Sequence, residues 1–531
     1  MKIPLFATIV FMDAIQLSIF SSRIAAICDE MGAMLRCAAL SPNIKDRLDF
    51  SCAVFDAEGQ LCAQAAHIPV HLGSMAYAMA GIVGQLEWRH DDMVIVNDPF
   101  LGGTHLPDVT LVAPVFVEEQ LVAFVTNRAH HADIGASTPG SMPISKRLDE
   151  EGVIIPPSYL IRMGALDETF LSSIVSTTGN EQQSRGDFSA QISANRAGVQ
   201  RLMNLVEGMG LTPFKQSLDL LNDYAERLAA TALQQIPDGE YCFSDVMDDD
   251  GMGNRDIVIQ ARVQVKEGRV AVDFDGTAEQ VEGNINCPLS VAAAAVYYVF
   301  RCLMPEQTPA CAGSFRRIQL SAPEACLVNA KRPAAVAAGN VETSTRIVDV
   351  IMGALAQAIP NQIPAASHGS MNNVAMGSRG GSRGGGQNWD YYETLGGGMG
   401  AGSGADGLSA LQTHMTNTLN TPVESLEMHY PLRIQRYQIR TGSGGAGKRK
   451  GGDGLIREYE FLAPTTVTLL TERRQHQPWG LVGGQPGLVG QNSLDGEGLP
   501  AKISFSAQPG QCLTVATPGG GGWGRLFEVN G

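Results

Sequence analysis

Gly102-Gly103-Thr104-His105-Leu106-Pro107-Asp108 leads into an apolar run over residues 109–116, a polar Val117-Glu118-Glu119-Gln120, a second apolar run over 121–127, and then Arg128-Ala129-His130-His131-Ala132-Asp133. Two apolar runs joined by a short polar turn predict an antiparallel hairpin. With the turn centred on Glu118 and Glu119, His130 falls opposite Pro107. That register sets His130 between His105 and Asp108 at the open end of the ladder. Two imidazoles and one carboxylate then meet on a stiff scaffold.

Such a donor set suits a divalent cation, and Zn²⁺, Mn²⁺ and Fe²⁺ are all compatible with it. His105, Asp108 and His130 are the predicted metal ligands. Gly102 and Gly103 let the chain turn tightly into the strand. His131 and Asp133 are placed to orient the ligating rings, since a ligating imidazole usually donates its other N–H to a carboxylate or similar acceptor. The bland alternative is a polar hairpin end with solvated histidines. Another is the two-histidine, one-carboxylate iron site of oxygenases, which commonly shows H-x-D rather than the H-x-x-D spacing here. His67 and His71, either side of Pro69, either line the same pocket or sit in a polar turn, the second reading being favoured.

Working outward, residues 49–65 predict a second hairpin with its turn at Asp56-Ala57-Glu58-Gly59. Residues 74–86 have a helical pattern with Ser74 as cap, and residues 93–97 form a short buried strand. Pro114 inside a strand predicts an edge or a bulge. Residues 134–157 are loop-like, of the kind that often carries function. Residues 187–233 are helical, with a break at Gly208-Met209-Gly210 and Pro213. Strands return over 239–276, with an acidic turn at 248–253. Apolar helices are expected over 288–303 and 345–359. Residues 369–407 are very Gly-rich, and beyond Pro431 the chain reads as short strands and Gly turns. The predicted class is mixed α+β: several packed α/β layers with a β-rich, Gly-rich C-terminal region. Three regions are expected, residues 1–180, 181–430 and 431–531. At the N-terminus, a helix from Ala14 carries Ile15, Ile19, Ile24, Ile27, Met31 and Met34 near helical spacing. Residues 4–12 are apolar but too short to span a bilayer and lack a cleavage pattern. They read as a frayed tail or an overextended start.

The chain has 531 residues, 44% of them hydrophobic and 17% charged, with 60 Gly and a net charge of -16. That acidity argues against nucleic acid or an anionic membrane as a partner. Ten cysteines with no C-x-x-C pair predict reduced, mostly buried thiols and a cytoplasmic location. Gly442-Ser443-Gly444-Gly445-Ala446-Gly447-Lys448 has phosphate-loop spacing, but Arg449 stands where Ser or Thr should hold Mg²⁺, and no helix pattern follows. Gly380-Gly381-Ser382-Arg383-Gly384 matches a nucleophile elbow only by chance, because no strand precedes it. Arg379 and Arg383 are too few for an RNA-binding glycine–arginine segment. Trp389, Tyr391 and Tyr392 beside Gly396-Gly397-Gly398-Met399-Gly400-Ala401-Gly402 favour a packed backbone or an anion-binding turn over a free linker.

The chain also resembles the hydantoinase B/oxoprolinase family, which includes the alpha subunit of acetone carboxylase. The likeness is carried by Ser41-Pro42-Asn43-Ile44-Lys45 with Arg47 and Asp49; Ile68-Pro69-Val70-His71-Leu72-Gly73-Ser74-Met75; Asn97-Asp98-Pro99; Pro139-Gly140-Ser141-Met142-Pro143; Gly339-Asn340-Val341-Glu342-Thr343; His414-Met415-Thr416-Asn417-Thr418; and Pro478-Trp479-Gly480. Lys448-Arg449-Lys450-Gly451-Gly452 departs from the family's more usual Arg-Gly-Gly. The resemblance implies a metal site at His105, Asp108 and His130. It also implies an ATP-binding partner subunit of the hydantoinase A type, which phosphorylates a hydantoin, 5-oxoproline or similar lactam. The present chain then delivers water readied by the metal, and the two form a hetero-oligomer. Asp49, at a strand start between Leu48 and Phe50, is an additional ligand or general base, or else a solvated strand-edge carboxylate. Asp49, His131 and Asp133 complete the candidate catalytic set. Two other expectations stay open: an alpha subunit of an acetone- or acetophenone-type carboxylase, and a scaffold subunit without catalysis.

Overall fold

The computed structural model describes residues 13–65, 68–379 and 388–526. The N-terminal apolar run, His67 and the Gly380–Gly384 pattern lie outside the described residues. The chain is a mixed α+β protein, as its patterning predicts. Its first sheet holds β1 (Phe50–Asp56), β2 (Leu61–Ala65), β3 (Met93–Val96), β4 (Asp108–Val117), β5 (Gln120–His130), β6 (Ser158–Arg162) and β7 (Ala165–Leu166), in the order β2-β1-β5-β4-β3-β6-β7. Helices α1 (Ala14–Ala38), α2 (Pro42–Lys45) and α3 (His71–Ile82) belong to the same region. After a short α4 (Glu168–Val175) come α5 (Glu181–Met209) and α6 (Leu211–Leu233), which meet at the predicted glycine break.

The β4–β5 hairpin forms with its turn where expected, Val117 pairing Gln120. Its register differs by one residue at the open end. A bulge between Val115 and Phe116 leaves Val122 as the extra residue, so Val115 pairs Ala123 and His130 faces Asp108 rather than Pro107. Pro114 sits beside that bulge. It also lies past the end of β3, which pairs only Thr110 to Val112, so both sequence readings of this proline hold.

Both faces of the sheet are covered, which is why its central strands are buried almost throughout rather than on alternate residues. Cys52, Val54, Leu111 and Ala113 join a core with α1, α5 and α6, while Ala53, Phe55, Val112 and Phe124 pack on Met75 and Met79 of α3. Helix α5 is also tied down by amides. Gln191 Nε2 donates to the Val109 carbonyl at 2.9 Å, and Asn195 Nδ2 to that of Leu111 at 3.0 Å. The α1 stripe is rotated from the expected one: Phe20, Ile24, Ile27, Cys28, Met31 and Leu35 are buried, but Ile15, Ile19 and Met34 are exposed. Asp13 caps α1 with a capping box, and so ends the apolar run by starting a helix. Helix α3 begins three residues earlier than expected. Ser74 is not its cap; its hydroxyl donates back to the Val70 carbonyl inside the helix.

A second sheet orders β11 (Ile318–Ser321), β10 (Arg269–Asp273), β9 (Arg255–Lys266) and β8 (Gly239–Asp249) against α7 (Leu289–Cys302) and α8 (Ser344–Leu355). A π turn, Gly339–Thr343, leads into α8. The later strands are β12 (Asn373–Ser378), β13 (Trp389–Glu393), β14 (Leu432–Arg440), β15 (Gly454–Phe461), β16 (Thr465–Leu470), β17 (Gln491–Leu494), β18 (Glu497–Leu499), β19 (Lys502–Ala507) and β20 (Cys512–Ala516). They build two sheets, β13-β12-β16-β19 and β14-β15-β20-β17-β18.

Beside these sheets lies a layer of extended glycine-rich chain joined by backbone hydrogen bonds. Gly398 N–H donates to Pro518, Gly452 to Met399, Gly520 to Gly452 and Gly522 to Gln485, all at 2.8–3.0 Å. The chains approach so closely that a Cβ on Gly398 would stand 1.9 Å from the Gly452 oxygen, and one on Gly520 2.1 Å from that of Met399. From Gly396 to Gly400 the tract is therefore a packed backbone, not a linker, while Gly402 stands open. The phosphate-loop lookalike falls in this same layer and runs into β15, with no helix behind it. All ten cysteines are free thiols, six of them buried. Among the described residues, no helix is long and apolar enough to cross a membrane.

Candidate metal centre

Asp108 opens β4 and His130 closes β5, so the ladder itself sets them face to face. His105 arrives through a tight turn in which Asp108 N–H donates to the His105 carbonyl at 3.1 Å. The approach needs glycine. Gly102 has φ +102°, and a Cβ there would lie 2.3 Å from Ala78 Cα of α3. One ligand atom from each of His105, Asp108 and His130 lies within 4.8 Å of the other two, and all three residues are buried.

Each ring has one edge committed. His105 Nδ1 lies 3.2 Å from the Ala337 carbonyl, to which it donates. His130 Nδ1 lies 3.1 Å from the Asn43 side-chain amide on α2. Both Nε2 atoms are buried; that of His130 has no hydrogen-bond partner, and that of His105 faces the Asp108 carboxylate at 3.3 Å. A buried, unpaired imidazole nitrogen is costly in a protein interior, and a cation offsets that cost. Two buried Nε2 atoms beside one carboxylate fit a divalent ion.

Asp108 is the electrostatic hub. His105 Nε2 lies 3.3 Å from Oδ1, while His71 Nε2 lies 3.4 Å from Oδ2. Thr104 Oγ1 and Asn340 Nδ2 donate to Oδ2. Burial opposes the charge on Asp108, but the charges and hydrogen bonds of His105 and His71 hold its carboxyl well below the usual carboxylate range. Burial also opposes charge on His105, yet Asp108 raises its pKa above the ordinary imidazole value. His130 goes the other way: burial, then the neighbouring His105, push it well below that value and keep the ring neutral. A neutral ring presents the lone pair a metal needs.

A cavity of about 20 Å³ touches this cluster, enough for about one water molecule. Asp49, His71, Asp108, His130, Asn340 and Tyr392 are among its lining. Asp49 is therefore at the site and not on a solvated edge. Burial raises its pKa, and the Arg47 guanidinium, 3.7 Å away, partly opposes that. Arg47 is itself buried, donating to the Tyr392 carbonyl at 2.8 Å and to Thr394 Oγ1 at 3.2 Å.

His131 and Asp133 are not where the sequence reading put them. Strand alternation sends His131 to the other face, where it stacks on Phe188 and its Nε2 lies 2.9 Å from Gln191 Oε1. Asp133 orients no imidazole; its carboxylate accepts from Ser141 Oγ and the backbone N–H groups of Gly135 and Gly179, and pairs with Arg379 at 2.8 Å. It pins the loop that follows the hairpin. His71 follows the less favoured of its two readings and lines the pocket: it sits at the first turn of α3, with Nδ1 2.9 Å from Ser51 Oγ. Sequence reasoning also missed Asn43, Ala337, Asn340 and Tyr392. They reach the site from far along the chain, and no local spacing signals them.

A buried cluster of two histidines and a carboxylate at the mouth of a sheet hairpin defines a mixed α+β protein with a candidate metal centre. The Hydantoinase B/oxoprolinase model matches residues 13–526, and the chain belongs to that family. An uncharacterized protein of Methanocaldococcus jannaschii is 40% identical over 527 residues, covering 97% of this chain and 92% of that protein. The 5-oxoprolinase 1 of Arabidopsis thaliana is 38% identical over 96% of this chain, which spans only 42% of that protein. The B-type subunit of a putative D-/L-hydantoinase from a Pseudomonas species is 33% identical, with 97% and 90% covered. Among solved structures, an ATP-dependent caprolactamase from Pseudomonas jessenii superposes with TM-score 0.88 at 27% identity, over 97% of this chain and 92% of that one. Nucleotide-free acetone carboxylase gives 0.86 at 16% identity over 96% and 76%, a likeness of fold.

Proposed function

We propose that this chain is the water-delivering component of an ATP-dependent hydrolase that opens a cyclic amide of the hydantoin, 5-oxoproline or lactam class. The observation that carries this reading is the pair of buried imidazole Nε2 atoms beside Asp108, that of His130 without a partner, with a second carboxylate on the adjoining cavity. In this reading, the ATP step falls to a separate hydantoinase A-type subunit, with which the chain forms a cytoplasmic hetero-oligomer. The likeness to the B-type subunit of a hydantoinase and to an ATP-dependent caprolactamase supports that division.

His105, Asp108 and His130 would hold a Zn²⁺, Mn²⁺ or Fe²⁺ ion. Such a cation, when bound, lowers the pKa of water and polarises a carbonyl oxygen. Ala337 and Asn43 fix the two rings so that their Nε2 atoms face the centre. Asp108 stays ionised through its neighbours. Asp49 accepts the proton that a water loses as its oxygen adds to the ring carbon; burial, by raising its affinity for protons, suits it to that task. Arg47 keeps Asp49 in place and balances its charge.

The test is product analysis with the purified partner subunit, ATP, and in turn 5-oxoproline, a hydantoin and caprolactam. The reading expects the ring-opened product, with ADP and phosphate. Carboxylation of a ketone supplied with bicarbonate, and no ring opening, would replace the hydrolase with the carboxylase. Metal-dependent turnover equal in the parent and in His105→Ala would leave the chain as a scaffold.

A further inference from the structure

The π turn Gly339–Thr343 is buried along its whole length. π turns are rare and appear frequently at functional sites. Two of its side chains reach the metal centre by separate routes. Asn340 does so directly, donating from Nδ2 to Asp108 Oδ2 at 3.3 Å. Glu342 does so through two other residues. Its Oε1 accepts from the Met371 N–H at 2.9 Å and from Asn373 Nδ2 at 2.6 Å. Asn373 Nδ2 also donates to the Leu470 carbonyl at 2.8 Å, so both of its N–H groups are committed. Its oxygen is then left to accept the phenol O–H of Tyr392, at 2.7 Å. The Tyr392 ring lies parallel to the His130 imidazole, 3° apart in plane and 4.8 Å between centroids. Every member of this chain is buried.

We propose that the π turn is the positioning element of the metal centre: Asn340 orients the Asp108 carboxylate, and Glu342, through Asn373 and Tyr392, fixes the plane of the His130 ring. The proposal rests on the metal reading above. None of the four residues is a ligand; each acts through one. A ligating ring free to tilt presents its lone pair over a wide cone, whereas a ring stacked on a locked phenol presents it in one direction. The hydrogen bond from Tyr392 prevents the phenol from sliding, and the Arg47 guanidinium, 5.0 Å from the Tyr392 centroid, steadies it further. The short Gly339-Asn340-Val341-Glu342-Thr343 segment thereby governs two of the three ligands.

The experiment measures Zn²⁺ affinity of the full chain by chelator competition, and the visible absorption of the Co²⁺-loaded protein. Tyr392→Phe keeps the stack and deletes the hydroxyl; Tyr392→Leu removes both. Tyr391→Phe removes a neighbouring buried hydroxyl that donates to Glu393 instead, outside this chain of bonds. The expected result is about tenfold weaker Zn²⁺ binding for Tyr392→Phe, weaker again for Tyr392→Leu, with a shifted Co²⁺ band in both. Tyr391→Phe should match the parent in both readouts. Combining Asn373→Ala with Tyr392→Phe should be no worse than the worse single change, because both break one linkage. If Asn373→Ala does not fold, the Tyr392 and Tyr391 variants decide. A parent chain that binds neither ion would overturn the metal reading itself. A parent that binds, with Tyr392→Phe within twofold and its Co²⁺ band unmoved, overturns the positioning role alone. Equal weakening by Tyr391→Phe overturns it too.

Discussion

Glu151 and His105 hold the same residue from its two ends. Glu151 Oε1 accepts the Ala337 N–H at 3.0 Å, and the Ala337 carbonyl accepts from His105 Nδ1 at 3.2 Å. Ser145 Oγ and the Val336 N–H also donate to that carboxylate oxygen. The segment that fixes the His105 ring is thus anchored on a buried acid.

That acid makes stability depend on pH. Burial pushes Glu151 up to about 7 from an ordinary value of 4.5. Between those two values the folded chain holds a proton that the unfolded chain has released, so this group's contribution falls as pH rises through the window. The change amounts to about 3 kcal/mol, complete above pH 7. Urea unfolding at pH 5 and pH 8 should show that Glu151→Gln removes this part of the pH dependence. Parallel profiles for parent and variant would contradict it.

The proposed metal site predicts a simple count. Metal analysis of the purified chain should find about one divalent ion per molecule, and almost none in His105→Ala, Asp108→Asn or His130→Ala. Undiminished metal in both histidine variants would remove the basis for the centre.

Asp49 should separate from the proposed ligands in kinetics. Asp49→Asn should retain the ion while the ring-opening rate of the complete enzyme drops by about 10² or more. Loss of the ion in this variant would make Asp49 a ligand instead of a proton acceptor.

Asp133 should behave as structure alone. Asp133→Ala leaves two backbone N–H groups and Ser141 without their acceptor and Arg379 with Asp390 alone, and should cost about 2–3 kcal/mol of stability. Chemical denaturation reads the loss, and the metal content should not change. Metal lost from a still folded variant would give Asp133 a part in the site.

Gly398 and Gly402 make a matched pair in the glycine layer. A Cβ on Gly398 meets backbone at 1.9 Å, whereas one on Gly402 meets nothing within 4 Å. Gly398→Ala should destabilise by about 3 kcal/mol or prevent folding, and Gly402→Ala should stay within about 0.5 kcal/mol of the parent. Equal melting temperatures for the two would refute the packing.

Much of the scaffold was legible because periodicity reports local structure. The β4–β5 hairpin, the α5–α6 break and the strand-rich C-terminal third all appear in apolar spacing and turn residues. The proximity of His105, Asp108 and His130 was legible for the same reason, since all three lie on or just before one hairpin. What failed was whatever a single residue decides. One bulge residue, Val122, moved His130 from Pro107 to Asp108, to the benefit of the predicted cluster. Alternation at the end of β5 turned His131 away, a consequence of strand geometry that clustering in sequence had obscured. The partners of the centre were illegible in principle. Asn43, Ala337, Asn340 and Tyr392 meet it by tertiary packing, and Asp133 is claimed by loop amides and an arginine 246 positions away.

The glycine layer has a consequence for how this protein can change. In an ordinary core, one apolar side chain can give way to another of similar bulk, and neighbours shift to suit. Where peptide planes themselves touch, no smaller substituent exists to trade, and no rotamer can make room. A tract whose monotony suggests filler is then the portion with the fewest acceptable spellings. Random mutagenesis should find it more intolerant than the hydrophobic interior.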